Sequence, residues 1–374
     1  MGYTEFSPER LLSLGFTAQE VVDGSWMARW DLDTSAAEEL VTRTLAPTLD
    51  FHTSGTTGPS RTWRRYRDRI WLEAGMLAGF VAPERPAAVV SFVPPTHLYG
   101  ALVTTLVPAR LGIPVWYRSN FFGAMPKIDQ GRVVVMATPW IFRLLLEHLD
   151  WVRGLEHITV MYGGAMLPAT AGEFLEKAGP ERALIVEVMG STEAGGVATR
   201  RWREGEPPEW TLFPDVTFAD EDPASGEEIP LLVRSPRLAF RPGEAAPPTW
   251  EADDRIVRLG ERSFRLVGRR GRLVKVNGRR INLDEAEQAM RSVLDCVDLA
   301  LRPITDDMIG EHLELLVVLE SGTELSDVDL NPAFGQLGVR PKRVYSVPRI
   351  ERSALGKLRH DQSSNAANVE VSAP

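Results

Sequence analysis

The sequence predicts an α/β protein with a large N-terminal domain and a small one after it. The large domain has a parallel sheet flanked by helices plus a small β-barrel-like region; the small, mobile C-terminal domain is α+β. Three observations carry this. Between about residues 85 and 200, short β-rich runs alternate with helical patterns, and strands alternating with helices build a parallel sheet covered on both faces. From about 205 to 267 the chain is turn-rich ("EGEPPEW", "DPASGEE", "RPGEAAPPTW") with short β runs between, as in a small antiparallel or barrel-like region. Beyond "VGRRGR" a third pattern of strands and one clear helix fills about a hundred residues.

The elements follow in order. Before residue 51, "SPERLLSLGF", "TAQEVVDGSWMARW" and "TSAAEELVTRTLAP" suggest only a few helices. "AAVVSFVPP" reads as a buried strand and "YGALVTTLVPARLG" as the helix after it. "RVVVMATP" is a second strand, followed by the apolar-periodic "WIFRLLLEHL". "ITVMYGGA" and "LIVEVMG" repeat the scheme around "PATAGEFLEKAG". Gly-rich turns fall at strand ends at Tyr99-Gly100, Gly163-Gly164 and Gly190 to Gly196, and ligands gather at the carboxyl ends of parallel strands. "LVKVNGRRI" is a strand pair, "LDEAEQAMRSVL" a helix, and "LALRPI", "HLELLVVLE" and "RVYSVPRI" are further strands. The expected division is 1–268 and 269–374, with a hinge near 269–271 and a polar, disordered tail from about 361. No internal repeat is visible.

The totals exclude several classes. A chain of 374 residues with 44% hydrophobic and 25% charged residues holds two domains and a substantial core. A net charge of -9 argues against nucleic acid, whose phosphates need a basic face. The one cysteine, Cys296, excludes an internal disulfide and a cysteine-built zinc site. It sits in the apolar run "SVLDCVDLAL", which favours packing over reactivity. No signal peptide is visible at "MGYTEFSPERLLSLGF", and no apolar stretch approaches the roughly 20 residues of a spanning helix. The expectation is a cytoplasmic protein without membrane partners, and a homodimer is compatible with all of this.

"FHTSGTTGPSRTWRR", residues 51 to 65, mixes glycines and hydroxyls with arginines, as a phosphate-wrapping loop does. It is not the NTPase loop G-x-x-x-x-G-K-[ST]: Gly55 opens that spacing, but Ser60 stands at the second glycine and Arg61 at the lysine. Taken alone it reads equally as a Ser/Thr/Gly surface turn. Four further segments bear on it: "PPTHLYG", "VMGSTEAGG", the block "EADDRIVRL…FRLVGRRGRLVKVNGRRINLDEAE", and "ERSALGKLR".

In this order and spacing the five segments resemble the adenylate-forming superfamily of acyl- and aryl-CoA ligases, peptide-synthetase adenylation domains and luciferases. The resemblance covers about residues 51 to 360. It implies that Thr53, Ser54, Gly55, Thr56, Thr57 and Gly58 hold the β- and γ-phosphates of ATP, with Arg61 in place of the family's lysine. Thr192 would bond the α-phosphate and Glu193 would hold Mg²⁺, a hard cation suited to carboxylate oxygen. Without the resemblance, Thr-Glu is also a helix-cap pattern.

Met189 stands where the family often has an aromatic residue against adenine, just before Gly190. Gly163, Gly164 and Ala165 match the turn that passes adenine and the substrate pocket. Asp254 matches the aspartate that receives the ribose hydroxyls, with Asp253 where glycine is common, and Arg269 matches the arginine supporting the ribose. Read singly, these two are ordinary solvated charges. His97 matches the residue at the mouth of the carboxylate pocket, although a lone histidine is more often a satisfied structural group.

Lys357 matches the C-terminal lysine that would touch both anions during adenylation. Gly278 would line the thiol tunnel after the small domain rotates about Gly271. Tyr99, Tyr162, Met189 and Val197, with Gly195 and Gly196 leaving space, suit an aryl or medium acyl acid.

The implied activity is ATP- and Mg²⁺-dependent adenylation of a small carboxylic acid, then transfer to the thiol of CoA or a phosphopantetheine carrier protein. Two readings stand beside it: transfer to an amine, and a catalytically reduced nucleotide-binding partner. Relatives usually carry far more than the 50 residues found here before the phosphate loop.

Overall fold

The chain opens by adding strands to a sheet, and not only helices as its first 50 residues suggest. β1 (Thr4–Phe6) pairs in parallel with β2 (Trp26–Ala28). Around them lie α1 (Pro8–Leu14), α2 (Gln19–Val22) and α3 (Thr34–Thr44). Side-chain caps start two of these: Ser7 accepts from Arg10 N–H, and Asp33 from Ala36 N–H at 2.8 Å. The strands are three residues each, too short for their periodicity to show in "DGSWMARW". Trp26 fixes β2: it is fully buried and donates from Nε1 to Val21 O at 2.9 Å.

This is a computed structural model, and it describes residues 2–53, 61–120, 123–137, 141–220, 226–276, 279–306 and 310–352. The chain forms two compact units. The first comprises Met1–Glu227, Leu232–Ala252 and Arg258–Arg265; the second comprises Glu228–Leu231, Asp253–Val257 and Leu266 onward.

In the first unit, β3 (Thr48–Thr53) and β4 (Arg61–Tyr66) form a separate antiparallel ribbon, and α4 (Arg67–Val81) follows directly. The main sheet is built from β5 (Ala88–Ser91), β6 (Val115–Tyr117), β7 (Arg132–Ala137), β8 (His157–Gly163) and β9 (Ala183–Ser191). These five are parallel in the order β6-β5-β7-β8-β9. Runs such as "RVVVMA" are buried on both faces, as β-branched strands of a helix-covered sheet must be. One face packs on the helices Ile141–Glu147 and Thr170–Ala178, where Phe142, Phe174 and Tyr162 meet.

The strand order has a physical consequence. β5 is first of the five in sequence yet second in space, so the connections leave β5 and β7 in opposite directions. That reversal is a topological switch point, and it opens a crevice outside the carboxyl ends of the strands. The helix after β5 is not uniform: Leu98–Gly100 and Val107–Leu111 flank a π-helical stretch at Ala101–Leu106. Such widened turns are frequent at functional sites. Its Thr104 bonds Ser91 Oγ at 2.6 Å and donates to Val93 O at 2.7 Å, fastening the helix to the end of β5.

Beyond β9 the sheet turns antiparallel through β10 (Gly195–Trp202) and β11 (Trp210–Leu212) to the strand that begins at Ser263. At its other edge β2 runs antiparallel to β6, where Trp26 packs on Tyr117 and the tyrosine hydroxyl donates to Val22 O at 2.8 Å.

In the second unit, Leu273–Val276 and Arg279–Asn282 pair as a hairpin ahead of a helix at Leu283–Arg291. A three-stranded sheet of Asp298–Asp306, Gly310–Val318 and Arg343–Ser346 completes the α+β pattern. Cys296 is half-buried and packs against the core of this unit. All ten tryptophans precede residue 251, so that none falls in the segment from Leu266 onward. Among the described residues no helix is long and apolar enough to cross a membrane. The tail from about 361 lies outside the described residues.

Candidate functional site

In the ribbon of β3 and β4, Thr53 and Arg61, which flank the expected phosphate loop in sequence, are partners in register, and Arg61 is exposed. Ser54, Gly55, Thr56, Thr57 and Gly58 lie outside the described residues, as do Gly278 and Lys357.

Three further segments meet at carboxyl ends of the parallel strands. His97 follows β5 on a loop folded so tightly that a Cβ on Gly100 would lie 1.8 Å from Pro94 O. Tyr99 reaches across and donates to Met161 O on β8 at 3.2 Å. A Cβ on Gly163 would stand 3.1 Å from the Tyr99 ring and 3.1 Å from Val188 O, so the glycine is what lets Tyr99 lie against the end of β8. Burial pushes the Tyr99 phenol well above its ordinary range, and it stays a neutral donor. Gly164 takes a left-handed φ of 93°, and Gly164 and Ala165 are half-buried beside it. Register pairs Gly163 with Val188, which sets this turn beside half-buried Met189 and exposed Gly190 on β9.

Thr192 and Glu193 occupy the short turn joining β9 to β10, not a helix start; Ser191 and Gly195 close it in register. Gly195 has φ 75°, the left-handed residue that such three-residue hairpin loops need. Both turn residues are half-buried, and among the described residues the Glu193 carboxylate has no salt bridge. The Glu193 carboxylate acts electrostatically on Arg65, and it could hold a magnesium ion whose other ligands are phosphate oxygens and water. Among the described residues no group of three acidic, His or Cys side chains forms a self-sufficient metal cage.

The other expected pocket residues are placed differently from one another. Tyr162 is fully buried against Phe142, and its hydroxyl donates to Met166 O at 2.8 Å. Val197 is buried, with its carbonyl taken by Phe213 N–H. The missing side chains of Gly195 and Gly196 make room for charge and for a ring. A Cβ on Gly195 would lie 2.6 Å from Glu73 Oε2, and one on Gly196 would lie 2.5 Å from Phe213.

Those buried charges were not among the sequence candidates. Arg65, Glu73 and Arg237 are each 1% exposed. Arg65 Nη2 lies 3.0 Å from Glu73 Oε2, and Arg237 Nη1 lies 3.0 Å from the same oxygen. Asp215 closes the group, accepting from Arg237 Nε at 2.7 Å and Nη2 at 2.9 Å. Burial pushes Arg65 below its usual value, and Glu73 pulls against that; around Arg237 the two carboxylates outweigh burial and hold it up. The available signal was alternation: in "RTWRRY", Trp63 and Arg65 share the inward face.

In the second unit, Asp254 and Arg269 stand together, with Arg269 Nε 3.4 Å from Asp254 Oδ1. Asp254 is half-buried whereas Asp253 is exposed. Gly271 occupies the single turn Arg270–Arg272, where a Cβ would meet nothing within 4 Å. The next residue is anchored: Arg272 bonds Asp284 at 2.8 Å and Glu287 at 2.6 Å.

A cavity of about 410 Å³ lies elsewhere, lined by Glu84, Arg132, His157, Pro180, Glu181, Arg203 and Glu204. Arg132 and His157 begin β7 and β8, so it sits at the end of the sheet opposite the loops above.

Comparison with known proteins finds relatives in sequence and in fold. The chain is 26% identical over 320 residues to a 4-coumarate–CoA ligase of Cereibacter sphaeroides, covering 82% of this chain and 69% of that one. It is 24% identical over 366 residues to the mitochondrial malonate–CoA ligase of Mus musculus, covering 82% and 62%. Its fold resembles ATP-bound MatB from Rhodopseudomonas palustris, with TM-score 0.62, 20% identity and coverage of 83% and 66%. It also resembles the O-succinylbenzoate–CoA synthetase of Bacillus subtilis in complex with ATP and magnesium, with TM-score 0.63, 15% identity and coverage of 84% and 69%. The chain thus spans about two thirds of the length of such relatives. A family profile described as AMP-binding enzyme matches residues 47–233, half of the chain and all of the turns described above in the first unit. The chain belongs to the AMP-binding enzyme family.

Proposed function

We propose that the protein is an ATP-dependent acid–thiol ligase acting on a small aryl or acyl carboxylic acid. The observation that carries this is the gathering of the His97 loop, the Gly163–Gly164 turn and the Thr192–Glu193 turn at carboxyl ends of one parallel sheet, within the matched family region. The CoA ligases among its relatives support the thiol as acceptor.

In this reading a carboxylate oxygen of the acid attacks the α-phosphorus of ATP, and pyrophosphate leaves, giving an acyl-AMP. A thiolate of CoA or of a carrier phosphopantetheine then attacks the acyl carbonyl and releases AMP. The Thr53–Gly58 loop and Arg61 hold the leaving phosphates, and Thr192 bonds the α-phosphate. A magnesium ion held by Glu193 would neutralise phosphate charge. Asp254 and Arg269 receive the ribose, while Gly163, Gly164, Ala165, Met189 and Gly190 border adenine. Half-buried Tyr99, a neutral phenol against Gly163, offers an apolar wall for an aromatic acid, with His97 at the mouth. Lys357 bridges the two anions as they meet, and Gly271 beside anchored Arg272 is the pivot that then exchanges Lys357 for the face near Gly278.

The test is pyrophosphate release from Mg·ATP with benzoates, cinnamates, fatty acids and amino acids, on wild type and Lys357→Ala. The expected result is a signal that depends on an aryl or acyl acid and falls about 10²- to 10³-fold in the variant. Equal signals in both proteins, or silence across the panel while ATP still binds, would overturn the reading. An AMP-forming signal that needs an amine rather than a thiol would move the acceptor.

A further inference from the structure

We propose that the buried quartet Arg65, Glu73, Arg237 and Asp215 is a positioning device that sets the Glu193 carboxylate to hold the magnesium ion of Mg·ATP. The proposal rests on the reading of that turn as a Mg·ATP site.

The geometry lies in what the quartet grips besides itself. Arg65 Nη1 donates to Thr192 O at 3.2 Å. Glu73 Oε1 accepts from Gly196 N–H at 2.6 Å, and Arg237 Nη2 donates to Gly196 O at 2.8 Å. Three main-chain groups, one in the turn and two on the β10 residue just past it, are therefore held by charged side chains nearly sealed from solvent. A fourth, Glu193 O, accepts from Ala239 N–H at 2.8 Å.

The holders are tied in turn to the strand that leaves the phosphate loop. Arg65 is itself on β4, and its Nη2 donates to Arg237 O at 2.6 Å. Two residues beyond Ala239's neighbour Leu238 the segment reaches Phe240, which exchanges main-chain bonds with Arg64 at 2.7 and 3.0 Å. One continuous set of bonds thus runs from β4 to the Thr192–Glu193 turn.

Charge balance explains why the burial is tolerated: two guanidiniums face two carboxylates. A buried ionic group of this kind is seldom the most stable filling for a core, since well-packed apolar residues often serve as well or better. Its particular use is direction. Guanidinium forks and carboxylates bond main-chain oxygen and nitrogen at fixed angles, which apolar packing cannot do. The left-handed Gly195 and the bare Gly196 complete the arrangement, because a side chain on either would occupy the place of the quartet or of Phe213.

The experiment measures ATP binding by calorimetry with Mg²⁺ and in excess chelator, on wild type and four variants. Arg65→Lys keeps the charge but not the fork. Asp215→Asn loosens Arg237 at the less buried edge of the group while leaving it its contact with Glu73, and serves if Arg65→Lys does not fold. Leu175→Ala, on the buried face of the helix Thr170–Ala178, controls for lost stability alone. Glu193→Gln tests the site itself.

Partners that orient a metal ligand typically cost about 10- to 100-fold in metal affinity when removed. The expected result is that chelator-only ATP affinity stays within about twofold of wild type, while the gain in affinity on adding Mg²⁺ falls about tenfold in Arg65→Lys and Asp215→Asn, is lost in Glu193→Gln and is intact in Leu175→Ala. If Glu193→Gln loses the gain but both quartet variants keep it, the positioning role is overturned and the site stands. If Glu193→Gln keeps the gain, or the control loses it as the quartet variants do, the proposal falls.

Discussion

Single residues decide how close the functional loops can come. Gly195 combines a φ of 75° with a Cβ direction that points 2.6 Å from Glu73 Oε2 and 2.7 Å from both Arg65 Nη2 and Arg237 Nη1. Gly195→Ala is expected to cost at least about 1–2 kcal/mol from the left-handed backbone alone, with the overlap on the charged group added. Thermal unfolding of the variant checks this, and a melting temperature unchanged from wild type would show that the turn can relax. The same residue shows how a glycine can be singled out in a sequence for one reason and be needed in the fold for another. "EAGG" was legible as a special turn, yet the glycines read there as space for a substrate. Which side of the chain a missing side chain faces is settled only by the partners folded around it, here Glu73 and Phe213.

At the level of elements, β5, β7, β8 and β9 and the helices between them were legible because long β-branched runs alternate with 3.6-residue periodicity, whereas the three-residue β6 was not. β1 and β2 were not: three residues carry no measurable alternation, and their pairing depends on Trp26 meeting Tyr117 from a distant strand. The quartet was invisible for a related reason, as its members lie far apart in sequence and each charge alone reads as solvated surface.

Another such group holds the second unit. Asp298 receives Arg352 at 2.8 Å and Arg291 at 2.6 Å. Burial works to raise its carboxyl, but the two guanidiniums prevail and hold it below the usual value. A carboxyl depressed in the folded state binds its proton more weakly than in the unfolded chain. Its stabilisation is present above the ordinary aspartate value of about 4 and is lost as pH falls through the folded one. Asp298→Asn should therefore be less stable than wild type at neutral pH, and the difference should shrink on acidification below pH of about 4. Denaturant titrations at several pH values read this directly, and a gap that stays constant with pH would refute it.

On the scale of the whole molecule, the family match ends at residue 233, short of the continuous part of the second unit from Leu266 onward. The end of the sheet bearing the β5, β8 and β9 termini carries the loops proposed to hold the nucleotide. At the opposite end Glu84 is surrounded by Arg201 at 2.6 Å, Arg203 at 2.9 Å and His157 at 3.2 Å. The tryptophans divide as well, and this gives the protein two optical channels supplied by its own composition. Indole emission reports the first unit alone, while a thiol-reactive dye on Cys296, the one cysteine in the chain, reports the second. Denaturation followed in both colours should give two separate midpoints, since units with their own cores need not unfold together. Coincident curves would show that the two melt as one. In the intact protein the same pair makes a donor and an acceptor, so that the rearrangement proposed for this protein would become a change in energy transfer, visible in real time without adding a single residue.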